Sequence, residues 1–574
     1  MANDHILTAE LIADRALPSD PQLSPDGRRV AFTVQATTKT KDQKAPRAAI
    51  WVAPADGSAP ARRWTGYEAH ERMPRWSPDG RSLAFLSDRA AAGQAQLFLM
   101  PATGGEAEQL TRRKGGVNAF AWSPDGASLA FTAADEERAD ESKRREESGD
   151  DVQVWGERLR LARLHLRHAD GSITTISPAD RSVGEFAWAP SGREIAAALA
   201  VRPDLEAPAE AGVDLVLLPV AGGPPRTVCH VPFGLSHLTW SADGGALLFT
   251  AWEAGTIPSS RAIFSVPAAG GTPRCLTTGL QGCLLSLVRP ERCWTLLCTV
   301  AEGLTTRLYT LDPASGGLQL RCEPHTGVAG SELSTDRDGR ALALVVSAWN
   351  EPAEIWCGTS SGDLRRVSNA NPAYRGLRWA RQEPFAWTAP DGLALDGVIL
   401  RPLDATAQPP GVVLVHGGPY ARTTMGFNSA PLAWAQWLAL DGCAVFLPNP
   451  RGGMGHGHAF AATVAGEVGM ADWQDVLSGT EAFVRAGHTD GARLGIGGWS
   501  QGGFMTAWAV SGGAPANGPR CWDGEYRHWN PAGGDRFRAG VMGAGVSDWG
   551  AMWSESDVPT FEAMLGGSRP SDGV

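Results

Sequence analysis

The chain has 574 residues, more than one ordinary hydrophobic core can organise, so at least two domains are expected. Its net charge of −11 argues against nucleic acid or an anionic membrane as partner, and 43% hydrophobic with 20% charged residues is a globular composition. With 69 glycines and 22 tryptophans, the sequence points to many turns and many short strands.

The opening stretch "MANDHILTAELIADRAL" has neither a basic n-region nor an apolar h-region, so no secretory signal is expected. No window holds 18 uninterrupted apolar residues, so no membrane-spanning helix is expected. The nine cysteines form no C-x-x-C pair; the reading is of reduced thiols in a cytoplasmic protein.

A repeat then fills residues 23–372. "SPDGRRVAF" begins at Ser24, "SPDGRSLAF" at Ser77 and "SPDGASLAF" at Ser123. Weaker copies begin at Ala189, Ser241, Arg289 and Asp336, at spacings of 46 to 66 residues. In each copy a proline presets φ, an Asp-Gly or related pair closes a tight turn, and an alternating strand follows. Four short strands per unit, repeated seven times, is the pattern of a seven-bladed β-propeller. The widest gap holds a charged insert, residues 134–159, which reads as a solvated segment between the third and fourth units.

From about Pro384 the period changes. "PFAWTAPDGLALDGVILRP" reads as two strands, and "GVVLVHGGP" as an apolar strand ending in glycines. A helix in "APLAWAQWLALDG", a strand in "AVFLPNPRG" and an amphipathic helix in "MADWQDVLSGTEAFVRAG" follow. "RLGIGGWS", "GGFMTAWAVS" and "RAGVMGAGVSDW" continue the pattern as strand, helix and strand. Apolar strands alternating with helices predict a largely parallel α/β sheet covered on both faces, over residues 380–574.

Gly498-Trp499-Ser500-Gln501-Gly502 fits G-x-S-x-G at a strand-to-helix junction, the setting of a nucleophile elbow. Ser500 is the candidate nucleophile. Acyl transfer also needs an oxyanion hole. One donor would be the backbone N–H of Gln501. The other would be the N–H of Gly418, with Gly417 as runner-up, on the loop His416-Gly417-Gly418-Pro419. His416, Gly417 and Arg451 of "NPRG" are candidate substrate contacts; a loop-bracing role is the stronger reading for His416 and Arg451.

Taken together, the seven turns, HGGP, NPRG and GWSxGG resemble the prolyl oligopeptidase family of serine peptidases, in its acylaminoacyl-peptidase and dipeptidyl-peptidase-like branch. The resemblance covers essentially the whole chain, implies that residues 1–22 form the short helical lead-in those enzymes carry, and implies no metal and no cofactor. It implies a seven-bladed β-propeller capping an α/β-hydrolase domain, short peptides as substrates, and Ser500 as nucleophile. An esterase of the same fold and a non-catalytic binding protein are the alternatives.

Three departures stand out. Position 501 is Gln where the family usually has Tyr. Residues 511–537 read as an inserted loop. Most seriously, the triad Asp and His are not found after Ser500. His528 is the only later histidine, and Asp523 lies five residues before it, too near to occupy a separate strand end. The domain therefore reads as incomplete at the C-terminus, truncated after its sixth strand, with an exposed parallel edge and impaired turnover.

Overall fold

The computed structural model describes residues 6–38, 46–66, 68–136, 147–148, 159–204, 206–255, 258–324, 328–359, 361–404, 408–427, 434–511 and 536–566. Most of the charged insert, most of the 511–537 loop with Asp523 and His528, and the tail from residue 567 lie outside the described residues.

Seven antiparallel four-stranded sheets follow one another, over residues 17–63, 71–109, 119–175, 182–231, 236–275, 283–322 and 328–366. The turn repeat joins the first and second strands within each blade. In four blades the turn is the same hydrogen-bonded device. Ser24, Ser77, Ser123 and Ser241 each donate at 2.6 Å to the aspartate two residues on. The same serine oxygen accepts the N–H five residues on, from Arg29, Ser82, Ser128 and Ala246, at 2.9–3.0 Å. The turn glycine must adopt left-handed φ, +70° at Gly27 and +71° at Gly80, which a side chain disfavours.

A second repeat links the blades. The indole N–H groups of Trp76, Trp122, Trp188 and Trp240 donate to carbonyls of the preceding blade, at Gln22, Arg75, Ala121 and Ala187. Each indole is thus partly buried between blades with its one donor satisfied.

Two expected boundaries shift. Residues 17–22, assigned to the lead-in, belong to the innermost strand of the first blade, Leu17–Leu23; among the described residues of the lead-in only Ala9–Ala13 is helical. The register shift between Ser19 and Gln22, with Pro18 and Pro21 beside it, hides the alternation that marks a strand. The charged insert joins the second and third strands of the third blade, Leu129–Ala134 and Ala162–Arg167, and so lies within a blade.

The second domain holds a six-stranded sheet in the order Arg381–Thr388, Ala394–Arg401, Ala444–Asn449, Gly411–Val415, Leu494–Trp499, Phe537–Gly543. The last four strands pair in parallel. Val413 and Val415 bury against helices Ala471–Arg485 and Gln501–Val510 on one face. Leu414 and Val445 bury against helix Trp434–Leu440 on the other. Phe385, Trp387, Phe446 and Phe483 knit one face together, with Phe446 stacked on Phe483 at 5.5 Å. Among the described residues Phe537–Gly543 is the sheet's edge strand.

The propeller docks on the loops above this sheet. Tyr420, just after Pro419, donates to Cys283 Sγ at 2.8 Å and packs edge-on against Trp252. The Arg422 guanidinium donates to Gly303 O and Thr306 Oγ1, both at 2.6 Å, and to Thr305 O. His458 is hydrogen-bonded to Ser259 at 2.9 Å. Among the described residues no helix is long and apolar enough to cross a membrane.

Candidate active site

Ser500 stands between strand Leu494–Trp499 and helix Gln501–Val510 at φ +56° and ψ −121°. That is a strained backbone for a residue with a side chain, at a cost of about 1–3 kcal/mol. Its surroundings enforce it. A Cβ on Gly498 would lie 2.3 Å from the Gly502 carbonyl oxygen. One on Gly502 would lie 2.1 Å from Val415 O and 2.6 Å from His416 O; one on Gly503 would lie 2.6 Å from Gly543 O. The three glycines let helix and strand touch at the turn. Ser500 N–H is fixed to Gly543 O at 2.9 Å, and Ser500 O takes the first helical bond from Phe504 N–H at 3.0 Å. The hydroxyl is left half-buried at a helix N-terminus, where partial positive charge favours a developing anion.

The HGGP loop lies against this turn. A Cβ on Gly417 would stand 2.9 Å from Ser500 Cβ and 2.6 Å from Trp499 O. Gly418 follows at φ +138° and joins Pro419 through a cis bond. The structure thus brings Ser500 and Gly417 together, with Gln501 and Gly418 their neighbours in the chain.

His416 and Arg451 are placed otherwise. His416 is 5% exposed, its Nδ1 lies 2.8 Å from Gly417 O, and burial lowers its pKa and keeps it neutral. That contact fits the loop-bracing role. Arg451 is 8% exposed, with Nε and Nη2 on Asp475 and Nη1 on Asp391. The bonds to Asp475 and Asp391 hold the guanidinium firmly charged. A substrate carboxylate would have to displace one of these acids, so the geometry fits the bracing role.

Asp472 was not singled out in the sequence. It is fully buried in the first turn of helix Ala471–Arg485, and its Oδ2 accepts from Gln501 Nε2 at 3.0 Å. The signal was there: acids at 472 and 475, three apart, fall among the buried residues Trp473, Val476 and Leu477. Asp548 caps helix Trp549–Glu555 through Ala551 N–H and has a structural role. Among the described residues no side chain is hydrogen-bonded to Ser500 Oγ, and no group of histidines, cysteines and acids is arranged to hold a metal ion.

Comparison with known proteins agrees with this architecture. Residues 432–516 match the prolyl oligopeptidase family, and residues 10–156 match the TolB β-propeller domain. An uncharacterized peptidase of Bacillus subtilis, YuxL, is 27% identical over 97% of this chain and 84% of its own. Dipeptidyl aminopeptidase BIII of Pseudoxanthomonas mexicana is 24% identical over 88% of this chain and 70% of its own. The acylamino-acid-releasing enzyme of Sus scrofa is 33% identical over 41% of this chain and 34% of its own. Among solved structures, the acylaminoacyl peptidase of Pyrococcus horikoshii superposes with a TM-score of 0.75 at 20% identity, over 97% of this chain and 82% of that one.

Proposed function

We propose, for a chain that belongs to the prolyl oligopeptidase family, that it is a serine peptidase that cleaves short peptides of the acylaminoacyl or dipeptidyl type through an acyl-enzyme on Ser500. The observation that carries the reading is the strained Ser500 backbone with Gly417 of the HGGP loop pressed against it. Ser500 Oγ attacks the scissile carbonyl carbon. The negative charge that develops on the carbonyl oxygen is met by the N–H groups of Gln501 and Gly418, neither of which has another acceptor among the described residues. The C–N bond breaks, the Ser500 proton leaves with the amine, and water then hydrolyses the ester; with no side chain hydrogen-bonded to Ser500 Oγ among the described residues, turnover is expected to be impaired. The propeller sits over the loops bearing Tyr420 and Arg422, which supports small peptides over folded proteins as substrates.

A fluorophosphonate probe tests the nucleophile. Ser500 displaces fluoride from phosphorus, and labelling is expected in the native chain but not after Ser500→Ala. Matched ester and amide substrates of acyl-amino acids and dipeptides test the reaction class; cleavage of the esters alone would replace this reading with an esterase.

A further inference from the structure

Gln501 carries the backbone N–H assigned above to the oxyanion hole, and that amide is the first of its helix. The leading amides of a helix have no partner within it, so their direction depends on what holds the first turn. On one side the first turn is held by close packing: Gly502 lies against the carbonyls of Val415 and His416. On the other it is held by the Gln501 side chain, which is 3% exposed and reaches Asp472 Oδ2 at 3.0 Å.

Asp472 is itself immobilised. Its Oδ1 accepts from Gly469 N–H at 2.8 Å and from Trp473 N–H at 2.9 Å. Gly469 is pressed against helix Gln501–Val510, since a Cβ there would lie 2.8 Å from the Phe504 ring. Among the described residues the carboxyl faces no cation, because Arg451 is committed to Asp475. Burial therefore pushes its pKa up to about 7. A fully buried acid without a cation is costly to keep. Replacing it with an apolar residue would remove that cost, and what it does instead is grip the side chain next to the nucleophile.

We propose that Asp472 is a positioning residue for the oxyanion hole, fixing the direction of the Gln501 backbone N–H by anchoring the Gln501 side chain to the helix Ala471–Arg485. This rests on the reading of Gln501 N–H as an oxyanion donor. It adds that the donor is set by a side chain outside the motif, on a different helix. The anchor is a chain of rigid links: the Gly469 and Trp473 amides to carboxylate, carboxylate to amide, amide to the α-carbon of residue 501. Loss of any link frees the N–H to swing without moving Ser500.

The test uses the full chain and the saturation kinetics of fluorophosphonate labelling, with rates expressed per folded molecule. Asp472→Ala and Gln501→Ala are each expected to lower the limiting labelling rate by about tenfold and to leave the half-saturating probe concentration within about twofold. The double variant is expected to be no slower than either single one, because both break the same link. Asp472→Asn is expected to label at close to the native rate. Its Oδ1 keeps the Gly469 and Trp473 amides, and the Gln501 amide turns over to accept from its Nδ2. A merely structural role would lower thermal stability while leaving the limiting rate per folded molecule intact, and that result in Asp472→Ala would overturn the proposal. Additive losses in the double variant, or a slow Asp472→Asn, would overturn it too. If native Ser500 is not labelled, the parent reading falls and this one with it. If native Ser500 is labelled and Asp472→Ala is unaffected, only this one falls.

Discussion

Arg451 closes three hydrogen bonds on the single carboxylate of Asp475. Its backbone N–H and Nε reach one oxygen, at 2.9 and 2.8 Å, and its Nη2 reaches the other at 2.7 Å. The pair ties the loop after strand Ala444–Asn449 to helix Ala471–Arg485 and is shut off from solvent.

Removing one member leaves the other charged and buried alone. Arg451→Ala is therefore expected to lower stability by about 3–5 kcal/mol. Arg451→Lys is expected to recover little, because a point ammonium cannot reproduce the planar fork. Denaturant unfolding of the three proteins measures this; a loss under about 1 kcal/mol for Arg451→Ala would show the pair to be dispensable.

The elbow predicts an inverse relation between stability and reactivity. Ser500→Gly relieves a positive φ and is expected to stabilise the chain by about 1 kcal/mol while abolishing probe labelling. A thermal midpoint below the native one would contradict the strain described at this residue.

Gly502 has no room for even one methyl group. Gly502→Ala is expected to cost upwards of about 3 kcal/mol or to eject the helix from Val415, with labelling lost in either case. Circular dichroism and labelling of the soluble fraction report this. Native labelling in Gly502→Ala would mean the turn relaxes without harm.

The pKa of Asp472 sets a pH dependence. Its folded value, about 7, lies above the ordinary 3.8, so its contribution favours the fold fully below about pH 4 and is lost as pH rises through about 7. The size is on the order of 4 kcal/mol. Asp472→Asn is expected to gain stability relative to the native chain across that window, read from urea midpoints at pH 4 and pH 8. Parallel pH profiles of the two proteins would contradict it.

Arg422 links the two domains through three propeller acceptors, from a position so buried that its pKa falls to about 10. Arg422→Ala is expected to weaken the interface by about 2 kcal/mol and to split one calorimetric transition into two. A single unshifted transition would place the coupling elsewhere.

Much of the fold was legible because its physics is local. Ser24, Asp26 and Gly27 make their turn within six residues, so each copy announces a blade. The copy at Arg289 reads less clearly because Arg292 stands in the glycine position and the turn closes differently, through Cys293 N–H to Pro290 O at 3.2 Å. The elbow glycines were legible because G-x-S-x-G is itself a packing constraint. Asp472 was not, since a buried acid looks on paper like a solvated one until its partner, 29 residues away, is placed beside it. Tyr420 and Arg422 escaped for the same reason: their partners lie in the other domain, over a hundred residues away. The strand Leu17–Leu23 was lost to its prolines and its bulge.

Each blade is drawn from one unbroken run of chain, and no strand is lent from the last blade to the first. During synthesis every blade can pair its strands as soon as its own residues emerge, with contacts of short range throughout. The seam between first and last blades is different. Ala16 and Asn371 exchange two hydrogen bonds, N–H to Oδ1 at 2.9 Å and Nδ2 to O at 3.0 Å, across 355 residues. The ring thus stays an open arc until residue 371 has been made. The face of the first blade that carries Val30 and Phe32 and packs on Ala343 and Ile355 of the last must wait uncovered through most of translation, which makes that face the place where a chaperone or a misfolded neighbour would first take hold.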